Sequence, residues 1–304
     1  MVTILFGAGA SFGSGSCTPY NPPLGNDLFH KLNEQGGNFS KLNEEVKSQF
    51  IDYGFEAGMA SIEDDSRNIT PMQKEMACYL SKFSVKNDNA YTRLFNRLRS
   101  ELSKMTIVTL NYDLLIEQAL SHHGLHIDYN ATGQGVSLLK PHGSSNFLPQ
   151  LPAGFNVSGN VFKGCGSYFE GLETKAVESH DEIIKWTKDL RNSDLSPVLA
   201  LYQKGKRIVV NNELINNIQK KYVEAISNSN LIFVIGVKYV EHDNHIWDCI
   251  SSCKGKVVIV DPYPSDTMKW AETNSLQNIE VMESGFEDIV LKIASDIKKH
   301  MRSI

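Results

Sequence analysis

The stretch VTILFGAGAS, residues 2–11, decides how the rest of the chain is interpreted. Its first five residues are apolar and partly β-branched, which is typical of a strand buried on both faces of a sheet. A turn of small residues follows at once and contains Gly7, Ala8, Gly9 and Ser11. Because small residues let backbone N–H groups approach a phosphate closely, this turn predicts an anion-binding site at the end of the first strand.

The connection from this turn to the next predicted helix is unusually long. In the common dinucleotide-binding fingerprint the helix begins directly after the glycine turn. Here residues 12–23 include two glycines and three prolines, and the pattern predicts a helix only from residue 24. We therefore expect a long, mobile loop over a bound ligand. A tight turn without any ligand is the alternative for a lone glycine turn.

Further apolar runs resemble the first one and alternate with stretches of helical character. This alternation predicts a Rossmann-like α/β fold with a parallel sheet and right-handed crossovers. The strands are expected at 2–6, 106–110, 231–235, 257–260 and 279–282, with a weaker candidate at 136–139, and the helices at 24–32, 114–123, 243–253, 267–273 and 286–301.

Two segments break this alternation. Residues of about 40–103 are mostly polar and helical in pattern, whereas residues of about 147–211 mix glycine, serine and aromatic side chains around a helix expected at 181–190. We interpret residues 1–304 as a single domain with one helical and one mixed insertion. Insertions of this kind usually cover a cleft or contact partners.

Composition excludes several classes of function. The 30 basic and 35 acidic side chains leave a net charge of -5, which predicts neither nucleic-acid nor anionic-membrane binding. No apolar run approaches the roughly 20 residues that span a bilayer, so we expect a cytoplasmic protein. The five cysteines include no CxxC pair, which argues against a disulfide framework or a structural zinc site, and no metal is expected.

Polar residues follow two of the predicted strands. Asn111 and Asp113 come after the strand at 106–110, at the carboxyl end where α/β folds place ligand-binding side chains. Being two residues apart on an extended segment, they point to the same side. They could equally cap the helix expected from residue 114. His142 lies in a loop between proline and glycine, where its ring could act as a base near neutral pH or face solvent.

Two other strands end in residues with possible ligand roles. Gly236 ends the strand at 231–235, and Asp261 ends the strand at 257–260. An acidic residue at this position can accept a hydrogen bond from a ribose hydroxyl, although an ordinary loop aspartate fits the pattern equally well. Asp243 is expected to cap the helix that follows it, and His242 and His245 are interpreted as surface or capping residues.

In order and placement these motifs resemble the sirtuin-like NAD-binding fold. The similarity is greatest to the sirtuin-like NAD+ hydrolases of bacterial anti-phage defence. It spans roughly residues 1–282 but is confined to the short motifs. The sequence differs from sirtuin deacetylases, which carry two CxxC pairs for zinc and a Pro-Asp-Phe-Arg element after the first turn. Here residues 22–29 read PPLGNDLF. The resemblance therefore implies an NAD pocket but not acyl-lysine peptide binding.

The resemblance also implies a role for each candidate residue. Asn111 would position the attacking water, Asp113 would line the nicotinamide-ribose pocket, and His142 would act at that ribose as a general base or by orienting its hydroxyls. The pyrophosphate would be held by Gly7, Ala8, Gly9 and Ser11, and the adenosine half would be bordered by Gly236 and Asp261.

The activity implied is hydrolysis of NAD+, as substrate, to ADP-ribose and nicotinamide. Because uncontrolled NAD+ loss kills the host cell, the resemblance implies an abortive-infection effector that forms a homo-oligomer and is activated through a partner sensor protein. Two alternatives stay open. One is a sirtuin-type deacylase or ADP-ribosyltransferase, and the other is a non-catalytic subunit that senses NAD or ADP-ribose.

Overall fold

The computed structural model describes residues 1–62, 66–154, 171–199, 212–240 and 243–303. The chain divides into two compact units. Unit 1 contains Met1–Leu24, Phe83–Pro141 and Asn216–Ile304, and unit 2 contains Gly25–Lys82 and His142–Ile215. The interpretation of residues 1–304 as a single domain stays a prediction.

The strands in the described residues are β1 (Val2–Phe6), β2 (Cys17–Thr18), β3 (Ser84–Val85), β4 (Met105–Thr109), β5 (Ile127–Asp128), β6 (Val136–Leu139), β7 (Phe147–Pro149), β8 (Thr174–Ala176), β9 (Leu231–Ile235), β10 (Lys256–Val260) and β11 (Ile279–Met282). The helices are α1 (Ala8–Phe12), α2 (Gly25–Glu34), α3 (Glu44–Tyr53), α4 (Phe55–Ser61), α5 (Ser66–Leu80), α6 (Ala90–Arg97), α7 (Leu115–His122), α8 (His180–Lys188), α9 (Asn212–Ser227), α10 (Asn244–Ser251), α11 (Ser265–Thr273) and α12 (Phe286–Arg302).

Unit 1 is built on a seven-stranded parallel sheet in the order β11-β10-β9-β1-β4-β6-β5. The predicted Rossmann-like fold is confirmed, with strand boundaries within one residue of those expected. Every residue of β1, β4 and β9 is buried, which explains why these strands read as continuous apolar runs. In the sheet, β4 pairs with one edge of β1, and the later strand β9 pairs with its other edge. The order of the strands therefore reverses at β1. In open α/β sheets ligands bind outside the carboxyl ends of strands at such a reversal.

Aromatic side chains pack against one face of the central strand. The ring of Phe6 contacts Tyr91 of α6 at 5.1 Å and Phe286 of α12 at 5.5 Å between centroids, and Tyr91 and Phe286 contact each other at 5.1 Å. All three side chains are buried. Apolar burial of this kind fixes α6 and α12 on the sheet, and it brings the Tyr91 hydroxyl beneath the glycine turn.

The structure corrects the predicted delay before the first helix. The short helix α1 begins at Ala8, directly after Gly7, and only then does the loop begin. The loop is also more restrained than the expected mobile segment, because β2 pairs antiparallel with β3. Asn89 donates from Nδ2 to Ser14 Oγ at 2.9 Å, and Ser16 donates from Oγ to Asp88 Oδ2 at 2.6 Å. These bonds hold residues 14–18 on the segment that precedes α6.

Unit 2 contains α2 to α5 and α8. Its aromatic core includes Phe29 stacked on Phe50 at 4.4 Å, with Phe39 also buried. Part of the predicted helical insertion therefore lies here as α3, α4 and α5, but α6 belongs to unit 1. The helix expected at 181–190 is α8, and Ser179 and Glu182 form its N-terminal capping box.

Several sequence-based expectations fall outside the described residues. They include most of the glycine-rich and aromatic part of the mixed insertion, Cys165 and His242. Among the described helices, none is both long enough and apolar enough to cross a membrane. Asp243 does occupy the N-cap position of α10, but its side chain accepts no hydrogen bond from the first turn of that helix.

Candidate functional site

The glycine turn after β1 packs directly against the loop after β9. Gly7 donates its N–H to the carbonyl of Ile235 at 3.0 Å, and Gly9 donates to the carbonyl of Gly236 at 2.9 Å. A Cβ on Gly7 would lie 2.5 Å from the Gly236 oxygen, and a Cβ on Gly236 would lie 2.1 Å from the Ala10 nitrogen. Gly236 also has a φ of 59°, which disfavours other residues. Close packing of two backbones therefore requires these glycines.

This packing changes what the turn can offer a ligand. The N–H groups of Gly7 and Gly9 are already used inside the protein. Within the described ranges, no backbone hydrogen bond uses the N–H of Ala8, which is exposed at the start of α1. A predicted contact between the turn and a pyrophosphate would therefore depend on Ala8 rather than on the two glycine amides.

Asn111 is locked in place by both hydrogens of its side-chain amide. Its Nδ2 atom lies 2.9 Å from the carbonyl oxygen of Gly7 and 2.9 Å from Ser11 Oγ. The side chain is largely buried, with the residue 9% exposed. Because both donors point into the protein, Oδ1 is the polar atom that Asn111 can still offer, and no hydrogen bond among the described residues ends on it. Asn111 can therefore accept a hydrogen bond but cannot donate one from its side chain.

The hydroxyl of Ser11 is a junction between three polar side chains. It accepts from Asn111, lies 3.1 Å from the hydroxyl of Tyr91, and bonds to the carboxylate of Asp113. A hydroxyl carries one hydrogen and two lone pairs. If Ser11 donates to Asp113 and accepts from Asn111 and Tyr91, all three are used. Ser11, predicted to bind pyrophosphate, then acts on Asn111 and Asp113 instead, and its ligand contact remains a prediction.

Asp113 is buried at the start of α7. Its Oδ1 accepts the N–H of Leu115 at 3.1 Å and so stabilises the first turn of α7. This is the helix-capping role that the sequence left open as one alternative. Burial raises the pKa of Asp113, whereas the charge of Lys140 and the bonds from Leu115 and Ser11 oppose that rise. The carboxyl group thus joins both the helix start and the Ser11 junction.

Lys140 is a site residue that sequence reasoning missed. Its side chain is fully buried, and Nζ lies 2.8 Å from the carbonyl oxygen of Asp113 and 2.7 Å from Glu117 Oε1. A lysine is almost never buried completely unless it is paired. Lys140 directly precedes Pro141 and His142, so its place beside a candidate residue was visible in the sequence. No sequence pattern indicated that Glu117 would be its partner.

The other predicted residues are distributed differently. Asp261 ends β10, and its Oδ1 accepts the N–H of Tyr263 at 2.7 Å, which closes a turn. His142 begins the second segment of unit 2, and the backbone after it is held by a bond from the Ser144 N–H to the carbonyl of Val198 at 2.9 Å. Unit 1 thus brings together Gly7, Ala8, Gly9, Ser11, Asn111, Asp113 and Gly236, with Asp261 two strands away from β1 and His142 in the other unit.

Comparison with known proteins identifies the fold. No family model matches the sequence, and no curated protein matches it. Among solved structures, a Sir2 homologue with a serine-to-alanine substitution, in complex with ADP-ribose, is 14% identical with a TM-score of 0.53, over 99% of this chain and 93% of that one. A histidine-to-asparagine mutant of a Sir2 homologue with ADP-ribose gives 14% and 0.52 over the same shares.

A Sir2 homologue in complex with NAD is also 14% identical, with a TM-score of 0.50 over 98% of this chain and 90% of that one. At this identity the likeness is evidence for the fold alone. The fold of this chain is therefore the Rossmann-like α/β fold seen in Sir2 homologues.

Proposed function

We propose that this protein is an NAD+ hydrolase that releases nicotinamide and ADP-ribose. The observation that carries the proposal is the orientation of Asn111. Its amide hydrogens are donated to Gly7 and Ser11, and its oxygen is left as an acceptor near the carboxyl ends of the central strands. Solved structures of the same fold hold NAD or ADP-ribose, which supports this class of ligand.

The proposed reaction breaks the bond between the nicotinamide nitrogen and C1′ of the ribose. The electron pair of that bond leaves with nicotinamide, which loses its positive charge, and C1′ becomes cationic. A water oxygen then bonds to C1′ and gives up a proton. Asn111 would accept a hydrogen bond from this water through Oδ1, and this bond would aim the water oxygen at C1′. Positioning of this kind contributes more when the acceptor is already fixed, as it is here.

His142 has the second role in the proposal. In its neutral form the imidazole can accept a hydrogen bond from a ribose hydroxyl, or take up the proton released in the reaction. Asp113, held by Ser11 and the start of α7, would line the nicotinamide side of the ribose. The pyrophosphate would lie at the start of α1, and Gly236 and Asp261 would border the adenosine half.

We extend the proposal to the biological role. A hydrolase that depletes NAD+ harms its own cell unless it is restrained. We therefore propose that the protein is the NAD-depleting effector of an anti-phage abortive-infection system, active in the cytoplasm as a homo-oligomer and triggered through a partner sensor protein. The support for this step is the resemblance of the sequence motifs to the defence hydrolases.

The purified protein incubated with NAD+ alone tests the activity. Chromatography should show nicotinamide and free ADP-ribose in equal amounts, with and without proteins encoded beside the gene. The N111A and H142A variants should lose turnover, whereas N274A, which changes an asparagine at the end of α11, should keep it. Product formation only with an acyl-lysine peptide or a protein acceptor would establish the transferase instead. NAD+ binding without turnover under every condition would favour a sensor subunit.

A further inference from the structure

Lys140 connects two parts of unit 1 that carry candidate site residues. It directly follows β6, which pairs in parallel with β4 so that Leu139 lies opposite Val108. From there its side chain reaches past the end of β4 to the carbonyl of Asp113 and to Glu117 in the first turn of α7. The ammonium group is thus bonded to the segment that begins with Asn111.

Stability alone does not explain this buried ion pair. Replacing a buried pair with apolar side chains of similar volume is often neutral or stabilising, because both charges lose their hydration in the interior. Lys140 is 0% exposed, and the Glu117 side chain is 10% exposed. Glu117 Oε2 is buried and accepts no hydrogen bond from the described residues, so the pair is not even fully satisfied. The presence of the Lys140–Glu117 pair therefore calls for a role other than stabilising the fold.

The geometry offers such a role. Residues 111–113 are held at one end by the Asn111 amide, which donates to Gly7 and Ser11. At the other end the carbonyl of Asp113 accepts from Lys140. Two attachments fix the direction of the Asn111 oxygen more narrowly than one. Hydrogen bonds from a charged donor are roughly twice as strong as neutral ones.

We propose that Lys140, with its charge balanced by Glu117, is a positioning residue that holds residues 111–113 in place for NAD+ cleavage by binding the carbonyl of Asp113. The inference rests on the proposed function for the reaction whose rate it affects. Lys140 acts through the backbone and does not need to touch the substrate.

The test replaces both charges at once, in the variant K140M/E117L. The single change K140M would leave the Glu117 carboxylate buried without its partner, which is strongly destabilising, whereas the paired change avoids this cost. The control is K221M/E224L, which removes an exposed pair of the same residue types on α9. Two quantities are measured: hydrogen exchange of residues 109–116 without ligand, and kcat and KM for NAD+.

We expect exchange at residues 109–116 to become about 10- to 100-fold faster in K140M/E117L, because a bond from a charged donor is lost. Exchange in β1 and β9 should not change, and any fall in melting temperature should be smaller than in K140M alone, because no unpaired charge is left buried. We also expect kcat to fall by about 100-fold, the scale reported for small misplacements of catalytic groups, with little change in KM. The control should match the wild type in every measurement.

Unchanged exchange at residues 109–116 would overturn the proposal, and so would faster exchange with kcat unaltered. A similar loss of kcat in the control would also overturn it, because a general change of charge would then explain the effect. If the wild type does not cleave NAD+ at all, the proposed function fails, and the exchange measurement alone still decides whether Lys140 holds the segment.

Discussion

Substitution of Asn111 should affect folding as well as catalysis, and the nearly isosteric change should be the more damaging one. N111A removes two buried hydrogen bonds, to Gly7 and to Ser11, each worth about 0.5–1.5 kcal/mol net. Gly7 keeps the bond from Ala10, so its carbonyl is not orphaned. The free energy of unfolding should therefore fall by about 1–3 kcal/mol.

N111D places a carboxylate where two hydrogen-bond donors stood. Its oxygen would face the Gly7 carbonyl and a Ser11 hydroxyl that also bonds to Asp113. An uncompensated buried charge costs about 3–5 kcal/mol, so N111D should be less stable than N111A although its shape is closer to asparagine. The matched control is N21D, because Asn21 also donates its amide to a carbonyl, that of Phe12, but at the exposed surface.

Urea denaturation followed by tryptophan fluorescence can rank these variants, since Trp247 and Trp270 lie buried in unit 1. We expect the free energy of unfolding to decrease in the order wild type, N21D, N111A and N111D. N21D should lie within about 1 kcal/mol of the wild type, because water can replace the lost partner of its side chain. An N111D protein as stable as the wild type would refute the inward orientation of the amide, and with it the argument that Oδ1 is the atom left for water.

Three further predictions follow from the same contacts. G236A should be more destabilising than G124A in thermal melting: both glycines have positive φ, which costs other residues about 1–2 kcal/mol, but only at Gly236 would the new Cβ lie 2.1 Å from a backbone nitrogen, whereas Gly124 has nothing within 4 Å. Y91F should lower kcat for NAD+ with little effect on KM, because the fully buried Tyr91 acts through Ser11, and unchanged kinetics would argue against the junction. Burial lowers the pKa of His245 from 6.5 to about 4, so the unfolded chain binds this proton more readily. The stability gained from the neutral ring should be complete above about pH 6.5 and disappear as the pH falls towards 4, and H245Q should weaken this dependence in urea titrations at several pH values.

The strands could be predicted because burial leaves a direct mark on sequence. The parallel strands of unit 1 are covered on both faces, so β1, β4 and β9 are runs of apolar residues bounded by turn residues. The first helix could not be predicted in the same way. Residues 8–12 read AGASF, with a glycine inside and no apolar periodicity, and the helix is only five residues long. Its start depends on the packing of Gly7 against the β9 loop, which residues far apart in the chain create.

The site was predicted in part for a related reason. Asn111 and Asp113 were found because polar residues after a buried strand stand out. Their hydrogen bonds could not be predicted, because the side chain of Asn111 could have offered a ligand either its NH2 group as a donor or its Oδ1 atom as an acceptor. Lys140 illustrates the limit most clearly. A lysine after an apolar run resembles an ordinary strand end, and its partner Glu117 lies 23 residues earlier, in a helix whose pattern does not distinguish it.

The central position of β1 has a consequence for synthesis of the protein. β1 leaves the ribosome well before its two neighbours in the sheet, β4 and β9, which begin at residues 105 and 231. A nascent or truncated chain that stops before β9 has no Ile235 carbonyl to hold Gly7 and no Gly236 to support Gly9. The turn at the candidate cofactor site can therefore take its final form only after synthesis has passed Gly236. If the protein hydrolyses NAD+ as proposed, chains that end before β9 should therefore show no activity.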